Sequence, residues 1–378
     1  MDSSRNRFAV QVCDDLRVFA GVWPVLADLA AREDVRSYPF QCRDHLEIWL
    51  ETIGAACGIA PFFAKVSDRS GAPLMLIPLG IRRLAGIRIL EFMDAGVADY
   101  NAPVLYRGAT GLSPPEARAL WTSVCRAAPA FDIAVLQKIP EFVAEFRNPL
   151  YDLATDSWPD SGHHLILEPA GGDLLQSRRE SRDSQRRRAR LSEIGKLEFR
   201  IARGDGDIGR AFDTFVRQKS RQYRETLGRD GFDVPGQELY YLSSTRKLPE
   251  GSVQLSYLSV GTEIIATAWC LIAGRRFYYM MCAYEDGAWR KFAPGRLLLE
   301  ELIGWACRNG MEAFDFGIGD ETYKLRWRQN SLALAGAVEP RTWAGQLYRA
   351  GMDARALLKK RLPAPLVKAI KKGIGRGS

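Results

Sequence analysis

The 378-residue sequence predicts an α+β protein of two similar halves, each a mostly antiparallel sheet flanked by helices. Three observations point that way. One order of elements (helix, antiparallel meander, helix, strand) is legible twice along the chain. Short turns of the kind that close hairpins separate the apolar runs, at Asp68-Arg-Ser-Gly71 and at Gly261-Thr262. Composition is that of an ordinary globular protein, 47% hydrophobic and 26% charged, and the length suits two cores better than one.

In the first half, residues 41–57 (QCRDHLEIWLETIGAAC) carry the period of an amphipathic helix. Residues 62–66 and 73–79 follow as strands on either side of the Asp68 turn, and 88–92 make a third. Ser113-Pro-Pro-Glu116 reads as a capping box with proline at the first helical position, opening a helix that runs to about Ala128. Residues 131–137 (FDIAVLQ) then form a buried strand. The second half repeats the pattern without visible sequence identity to the first. A helix over 207–227 precedes strands at 253–260, 264–272 and 276–284; a second helix opens at Pro294-Gly295 and a strand covers 312–316. Residues 148–172, rich in proline and glycine, lie between the halves. The expected division is an N-terminal domain over 1–155, a C-terminal domain over 156–345 that carries an Arg-rich helix, and a basic tail over 346–378.

Net charge is +8 and unevenly placed. Residues 177–190 hold seven arginines against two acids, and Arg178, Arg182, Arg186 and Arg190 recur four apart, so a helix stacks them on one face. Residues 355–378 hold eight Lys/Arg and no acid. Such patches suit nucleic acid, anionic lipid or a phosphorylated cofactor, or are simply solvated faces. Residues 347–372 predict a basic, partly amphipathic helix broken by Pro363 and Pro365, either a contact with an anionic membrane surface or a solubilising appendage. No run approaches the ~18 apolar residues that span a bilayer, and residues 1–15 have no long apolar stretch of the secretory kind. Seven cysteines without a C-x-x-C pair suit reduced thiols, so a cytoplasmic location is expected, at most peripheral to the inner face of the membrane. With three histidines, metal chemistry has few ligands and no metal site is expected; His163 and His164 receive no role.

The densest signal runs from Arg290 to Trp327 (RKFAPGRLLLEELIGWACRNGMEAFDFGIGDETYKLRW). A loop with Pro294-Gly295 feeds an apolar helix whose Leu298, Leu302 and Trp305 keep helical spacing; Gly310 ends it at a left-handed cap. A short strand and a second polar loop follow. A glycine-containing loop at a helix N-terminus holds anions, because its unpaired N–H groups and the helix dipole point the same way.

Phe292-Ala-Pro-Gly295, Phe314-Asp-Phe316 and Tyr323-Lys-Leu-Arg-Trp327 match, in order and spacing, the C-terminal signature of a known family. The chain resembles the GNAT-superfamily acyltransferases of the cellulose-biosynthesis CelD/BcsL type, cousins of the Fem aminoacyl transferases. Upstream, Pro39-Phe-Gln41 before a Trp49-bearing helix, Leu76-Ile-Pro-Leu79, Asp99-Tyr100-Asn-Ala-Pro103 and the Arg-rich segment extend the resemblance to roughly residues 38–330. It implies tandem GNAT-like domains and a donor that is acetyl-CoA or another acyl-CoA.

Acyl transfer from a thioester requires that the donor phosphates be held, the carbonyl polarised, the nucleophile's proton removed and the departing thiolate accommodated. Backbone N–H groups around Pro294, Gly295 and Arg296, with the side chains of Arg290, Lys291 or Arg296, are the candidate phosphate holders. Polarisation falls to a backbone N–H at the end of strand 276–284. Asp315, Asp320 and Glu321 are the candidate bases; Asp315 reads equally as a structural cap of the following loop. Tyr323 and Lys324 are candidates for protonating and stabilising the departing sulfur, since Fem-type relatives carry an aromatic-Lys pair at the matching place. By resemblance, Asp99 and Tyr100 line the acceptor's cleft, with Arg178 and Arg182 as further acceptor contacts. The expected acceptor is a sugar, an exopolysaccharide precursor or a small amine. The alternatives are an aminoacyl-tRNA-dependent transferase, with the Arg-rich helix on tRNA phosphates, and a non-catalytic nucleic-acid or membrane binder on the same fold.

Overall fold

The computed structural model describes residues 8–167, 182–327 and 330–361. They fall into two compact units: 1–162, 234–240 and 332–378 in the first, 163–233 and 241–331 in the second.

The first unit is built on a sheet whose strands run, side by side, Ala9–Cys13, Ala60–Ser67, Pro73–Leu84, Ile87–Phe92, Ile133–Pro140, Leu334–Pro340 and Asp156–Ser157. Residues 74–81 in its middle are all buried, the mark of a strand covered on both faces. Ile87–Phe92 and Ile133–Pro140 pair in parallel, which demands a crossover helix. Pro114–Ala127 supplies it, burying Ala117, Leu120, Trp121, Val124 and Cys125 on one stripe behind the expected Ser113/Glu116 capping box.

The division expected from sequence differs from this at 156–162 and 234–240, which belong to the first unit, and above all at the C-terminal end. Leu334–Pro340 returns to the first sheet, antiparallel to Ile133–Pro140, instead of closing the second domain. Helix Trp343–Arg361 is likewise part of the first unit: Tyr348 and Met352 pack against Ile89, Ile133 and Val135, and Gly345 lies against the Asp132 carbonyl. Thr342 donates to the Asp132 carboxylate, which also accepts from Arg88. The chain therefore leaves the first sheet and comes back to it, a connection that local periodicity does not report.

The second unit's sheet runs Leu197–Ile201, Val253–Val260, Glu263–Ala273, Arg276–Tyr284, Ala313–Ile318, Gly162–Ile166 and Asn330–Leu332. Residues 162–166, expected as linker, are thus a strand. Alternation along Glu263–Ala273 assigns its faces. Ala266, Ala268 and Cys270 meet the Leu297, Leu298 and Leu302 side of helix Pro294–Arg308 in one core. Thr267 bonds Gln218 of helix Gly204–Leu227, and Trp269 stacks edge-on to Tyr241. Helices so cover both faces of the second sheet. Among the described residues no helix is long and apolar enough to cross a membrane.

Candidate active site

In the second unit, Arg276–Tyr284 and Ala313–Ile318 are parallel neighbours but pair over only three residues: Arg276 with Ala313, Phe277 with Phe314, Tyr278 with Asp315. Beyond that point both strands continue without pairing, so a wedge opens between residues 279–284 and 316–318. Two local features part them. Phe314 stacks on Phe277 at 4.9 Å and also meets Tyr279 and Phe316, so rings stand where the strands separate. On the other edge of Arg276–Tyr284 the register skips, placing Tyr279 and Met280 against Cys270 alone; such a bulge bends the strand and re-aims its backbone groups. The carbonyl-polarising N–H expected from sequence lies farther along, at the end of this strand.

The crossover helix Pro294–Arg308 begins at this wedge. Its N-cap is Ala293, held at φ +50°, and no side chain caps it. A left-handed alanine costs roughly 1–2 kcal/mol, and strain of this kind concentrates at functional positions. Gly295 follows in the first turn. A Cβ there would stand 2.8 Å from the Tyr284 ring and 3.5 Å from Cys282 Sγ, so the glycine lets the helix start sit directly on the strand. Pro294 has no N–H, and the Arg296 and Leu297 N–H groups donate to the Ala293 carbonyl, so the Gly295 N–H and the helix dipole are what this start offers an anion.

The cations expected to help are placed differently. Arg296 turns inward to the buried carboxylate of Glu300 (3.1 Å), which also accepts from Ser184 and meets Arg188. Arg290 stays exposed beside Asp286, and Lys291 lies over the Phe292 ring. Helix Arg182–Ile194 is fastened by Ser184, Arg187 and Arg188, whereas Arg182, Arg186 and Arg190 face solvent, the stack expected from their spacing. Arg178 lies outside the described residues.

On the second strand, Asp315 is 1% exposed: Arg276 binds one carboxylate oxygen at 2.9 Å and the Gly317 N–H the other at 2.8 Å. Of its two readings, base and structural cap, this geometry suits the cap. Residues 322–327, read from sequence as loop, form a short helix. Lys324 is buried there, donating to the Ile318 carbonyl (2.6 Å) and paired with Glu321 (2.9 Å), so it staples the loop to the strand end. Tyr323 is exposed. Asp320 is half-exposed and lies 2.6 Å from Nε2 of fully buried His163, whose Nδ1 is 3.2 Å from Ser331 Oγ. An ionised Asp320 requires the Nε2–H tautomer, which leaves Nδ1 to accept from Ser331. His163 was passed over as a linker residue.

Lys219 was missed altogether. It rises from helix Gly204–Leu227 to donate to the Cys282 carbonyl at 3.3 Å, with the Tyr223 ring 4.9 Å away. Burial pushes its ammonium below the usual lysine range; Cys282 and Glu321 oppose this and Lys324 reinforces it. Lys219 is thus bonded to the wedge strand at Cys282 and within electrostatic reach of Glu321 and Lys324. Beside it, burial holds both the Tyr279 phenol and the Cys282 thiol in their protonated forms, well above and above their usual ranges respectively. A signal for Lys219 was available: it continues the apolar stripe of Phe212 and Phe215 at helical spacing, and an ionisable group on a buried stripe calls for a partner or a task.

The first unit repeats the parallel pair and closes it. Ile87–Phe92 and Ile133–Pro140 pair only at Ile89/Ile133 and Leu90/Ala134. Past that point Asp94 and Lys138 bridge the strand ends at 2.7 Å, and Asn101 donates to both Asp94 and the Gln137 carbonyl. Lys138 adopts φ +56° to do so. Its crossover helix is closed as well, since Glu116 accepts from the Ser113 N–H at 2.9 Å within the capping box. Tyr100, expected on an acceptor cleft, is 1% exposed, its ring 4.6 Å from Tyr38 and its carbonyl bonded by Gln41; Asp99 is half-buried beside it.

Residues 176–325 match the family of the acetyltransferase (GNAT) domain. No curated protein matches the chain. Among solved structures, FemX is similar over 86% of this chain and 98% of its own, at 11% identity and a TM-score of 0.53. A tandem GNAT protein from the clavulanic acid biosynthesis pathway is similar over 88% and 98%, at 13% identity and a TM-score of 0.51. At such identities the likeness is one of fold. The fold is that of tandem GNAT-like domains, and residues 176–325, nearly all in the second unit, carry an N-acetyltransferase-like (GNAT) domain.

Proposed function

We propose that the second unit transfers an acyl group, acetyl in the simplest case, from coenzyme A to an amine or hydroxyl of a saccharide, a polysaccharide precursor or a small amine. The observation that carries this reading is the uncapped start of helix Pro294–Arg308 at an open strand wedge, when the matching helix of the first unit is capped by its own Glu116. Phosphates of the donor suit the Gly295 N–H and the helix dipole, and its thioester suits the wedge beside Cys282 and Tyr279. The first unit, with wedge and helix both closed, is then not a donor site. The CelD/BcsL-type motifs support the saccharide end of the acceptor range.

The thioester supplies an activated acyl carbon. As the acceptor's nitrogen or oxygen bonds to that carbon, the carbon–sulfur bond breaks, one proton leaves the acceptor and one reaches the sulfur. Lys219 is the candidate to take the first proton, because burial disfavours its charged form and it lies beside the Cys282 carbonyl. Asp320, backed by His163, is the carboxylate alternative. Tyr279, on the wedge strand and kept protonated by burial, is the candidate donor of the second proton, with exposed Tyr323 as the alternative. Lys324 and Glu321 position the loop. All seven cysteines are free thiols, which supports a reducing compartment.

A second reading keeps the fold and changes the donor to aminoacyl-tRNA; the exposed Arg182, Arg186 and Arg190 row favours it. Titration of the protein with acetyl-CoA, longer acyl-CoAs and bulk tRNA decides between them. Saturable micromolar binding of one acyl-CoA is the expected result. Binding of tRNA alone, falling steeply with salt, would replace it with the second reading.

A further inference from the structure

Helix Trp343–Arg361 has two apolar faces, and the first sheet uses one of them. Gly345, Tyr348 and Met352 form the inner face, seated on Asp132, Ile89, Ile133 and Val135. Opposite them, Trp343, Leu347, Ala350, Ala354 and Leu357 recur at steps of four and three residues, which aligns them along one side of an α-helix. All five are exposed, Trp343 by 75%, Leu347 by 64% and Leu357 by 58%. Single exposed apolar residues need no explanation, but a Trp- and Leu-bearing row along one helix does.

Charge says what covers the row. From Trp343 to Arg361 the sequence holds five basic residues (Arg349, Arg355, Lys359, Lys360, Arg361) and one acid, Asp353. Residues 362–378 add Lys368, Lys371, Lys372 and Arg376 with no acid. Arg349 is spent on Asp353 and Asp156. A second copy of the helix would bring the same excess positive charge to the pairing, and with two alanines in the row it would bury little. An anionic bilayer meets both needs: an apolar boundary for Trp343, Leu347 and Leu357, and negative headgroups for the basic end.

We propose that the outer face of helix Trp343–Arg361 lies flat on an anionic membrane surface, with Trp343, Leu347 and Leu357 at the headgroup boundary. The inference is independent of the acyl-transfer reading, because the helix belongs to the first unit and shares no residue with the wedge.

The test is co-sedimentation of the full-length protein with vesicles of phosphatidylglycerol and phosphatidylcholine in equal parts, and with vesicles of phosphatidylcholine alone. The expected result is pelleting with the anionic vesicles only, weakened by salt. In the Trp343→Ser/Leu347→Ser variant it should weaken at least about tenfold, the loss expected when two apolar anchors of an interfacial helix are removed. Both side chains are exposed, so the variant should keep the wild-type melting temperature; light scattering on both proteins reports the oligomeric state. Absence of pelleting at low salt would overturn the proposal. So would a variant that pellets like wild type, because charge alone would then account for binding. A wild-type dimer that the variant converts to monomer would overturn it too, by showing that a second copy covers the row.

Discussion

Ala293→Asp tests the anion site with two readouts expected to move in opposite directions. The residue is the N-cap of helix Pro294–Arg308, has φ +50° and has no side-chain cap to displace. Aspartate and asparagine tolerate left-handed backbone better than other residues with a Cβ. A carboxylate there would sit roughly 5 Å from an anion on the Gly295 N–H. At effective dielectric constants of about 20–80 this gives ~1–3 kcal/mol of repulsion, or about 5- to 150-fold weaker donor binding. The same carboxylate interacts favourably with the helix dipole, about 0.3–1 kcal/mol, so the melting temperature should hold or rise. Ala293→Asn has the same shape without the charge and should bind nearly as wild type. Calorimetric titration with acetyl-CoA beside thermal melts reads both effects. Equal affinity in the Asp and Asn variants would remove the helix start from donor binding. Gly295→Asp is a poorer test, because any side chain there collides with Tyr284 before its charge matters.

Lys219→Met should lower turnover by about 10²–10⁴-fold, the usual weight of a general base, and remove the limb on which wild-type rate rises with pH. The sign follows from the lowered lysine: below its pKa the amine is charged and cannot accept a proton, above it activity levels off. The groups around it are Cys282, Tyr223, Glu321 and Lys324, so a limb that survives in Lys219→Met would belong to Glu321 or another neighbour. Buried His45, bonded to the Tyr240 hydroxyl, is pushed by burial from 6.5 to about 3. The unfolded chain therefore binds a proton that the fold refuses between those values, and stability falls as pH drops through that window by about 1.4 kcal/mol per pH unit from this group. His45→Gln should flatten the urea-unfolding slope against pH by one proton, and an unchanged slope would contradict the assignment. Gly345→Ala places a Cβ 2.0 Å from the Asp132 carbonyl, so the terminal helix must shift; a loss of about 1–3 kcal/mol in urea unfolding is expected, and a neutral result would unseat that helix from the first sheet.

Elements set by local chemistry were legible in the sequence. The Ser113/Glu116 capping box, the strands at 253–260 and 276–284 and the Pro294 helix start needed only their own residues. What local signals left out depends on partners far along the chain. Leu334–Pro340 is a strand because Ile133–Pro140 lies beside it, and no property of residues 334–340 names that partner. The site divides the same way. Gly295 and the acids after residue 314 were found by composition and resemblance. Asp315 as an arginine-bound strand residue, Lys324 as a staple and His163 behind Asp320 all require the tertiary contact. Lys219 is the exception, being visible on its helix's apolar stripe to a reading that asked where each charge would face.

The contrast between the two units is the strongest argument for where the chemistry lies. Both carry a parallel strand pair joined by a crossover helix, and in both the pairing stops after two or three residues. Two separate changes then close the first. At the strand ends, Asp94, Asn101 and Lys138 fill the opening, and the left-handed backbone at Lys138 is a cost the unit bears to make that closure. At the helix start, Glu116 takes the Ser113 N–H, and Pro114 and Pro115 have no N–H to offer an anion. These changes sit on different elements and act on different parts of a donor, so neither follows from the other. In the second unit Ala293 is left-handed at the helix start and no side chain caps it, and a buried lysine whose charged form burial disfavours bonds the wedge strand at the Cys282 carbonyl. A left-handed residue in one unit accompanies a closed wedge; in the other it stands at a helix start with no side-chain cap. Lys138 and Ala293 thus have opposite effects at the two openings, which is why the second wedge, and not the first, is proposed for the acyl transfer.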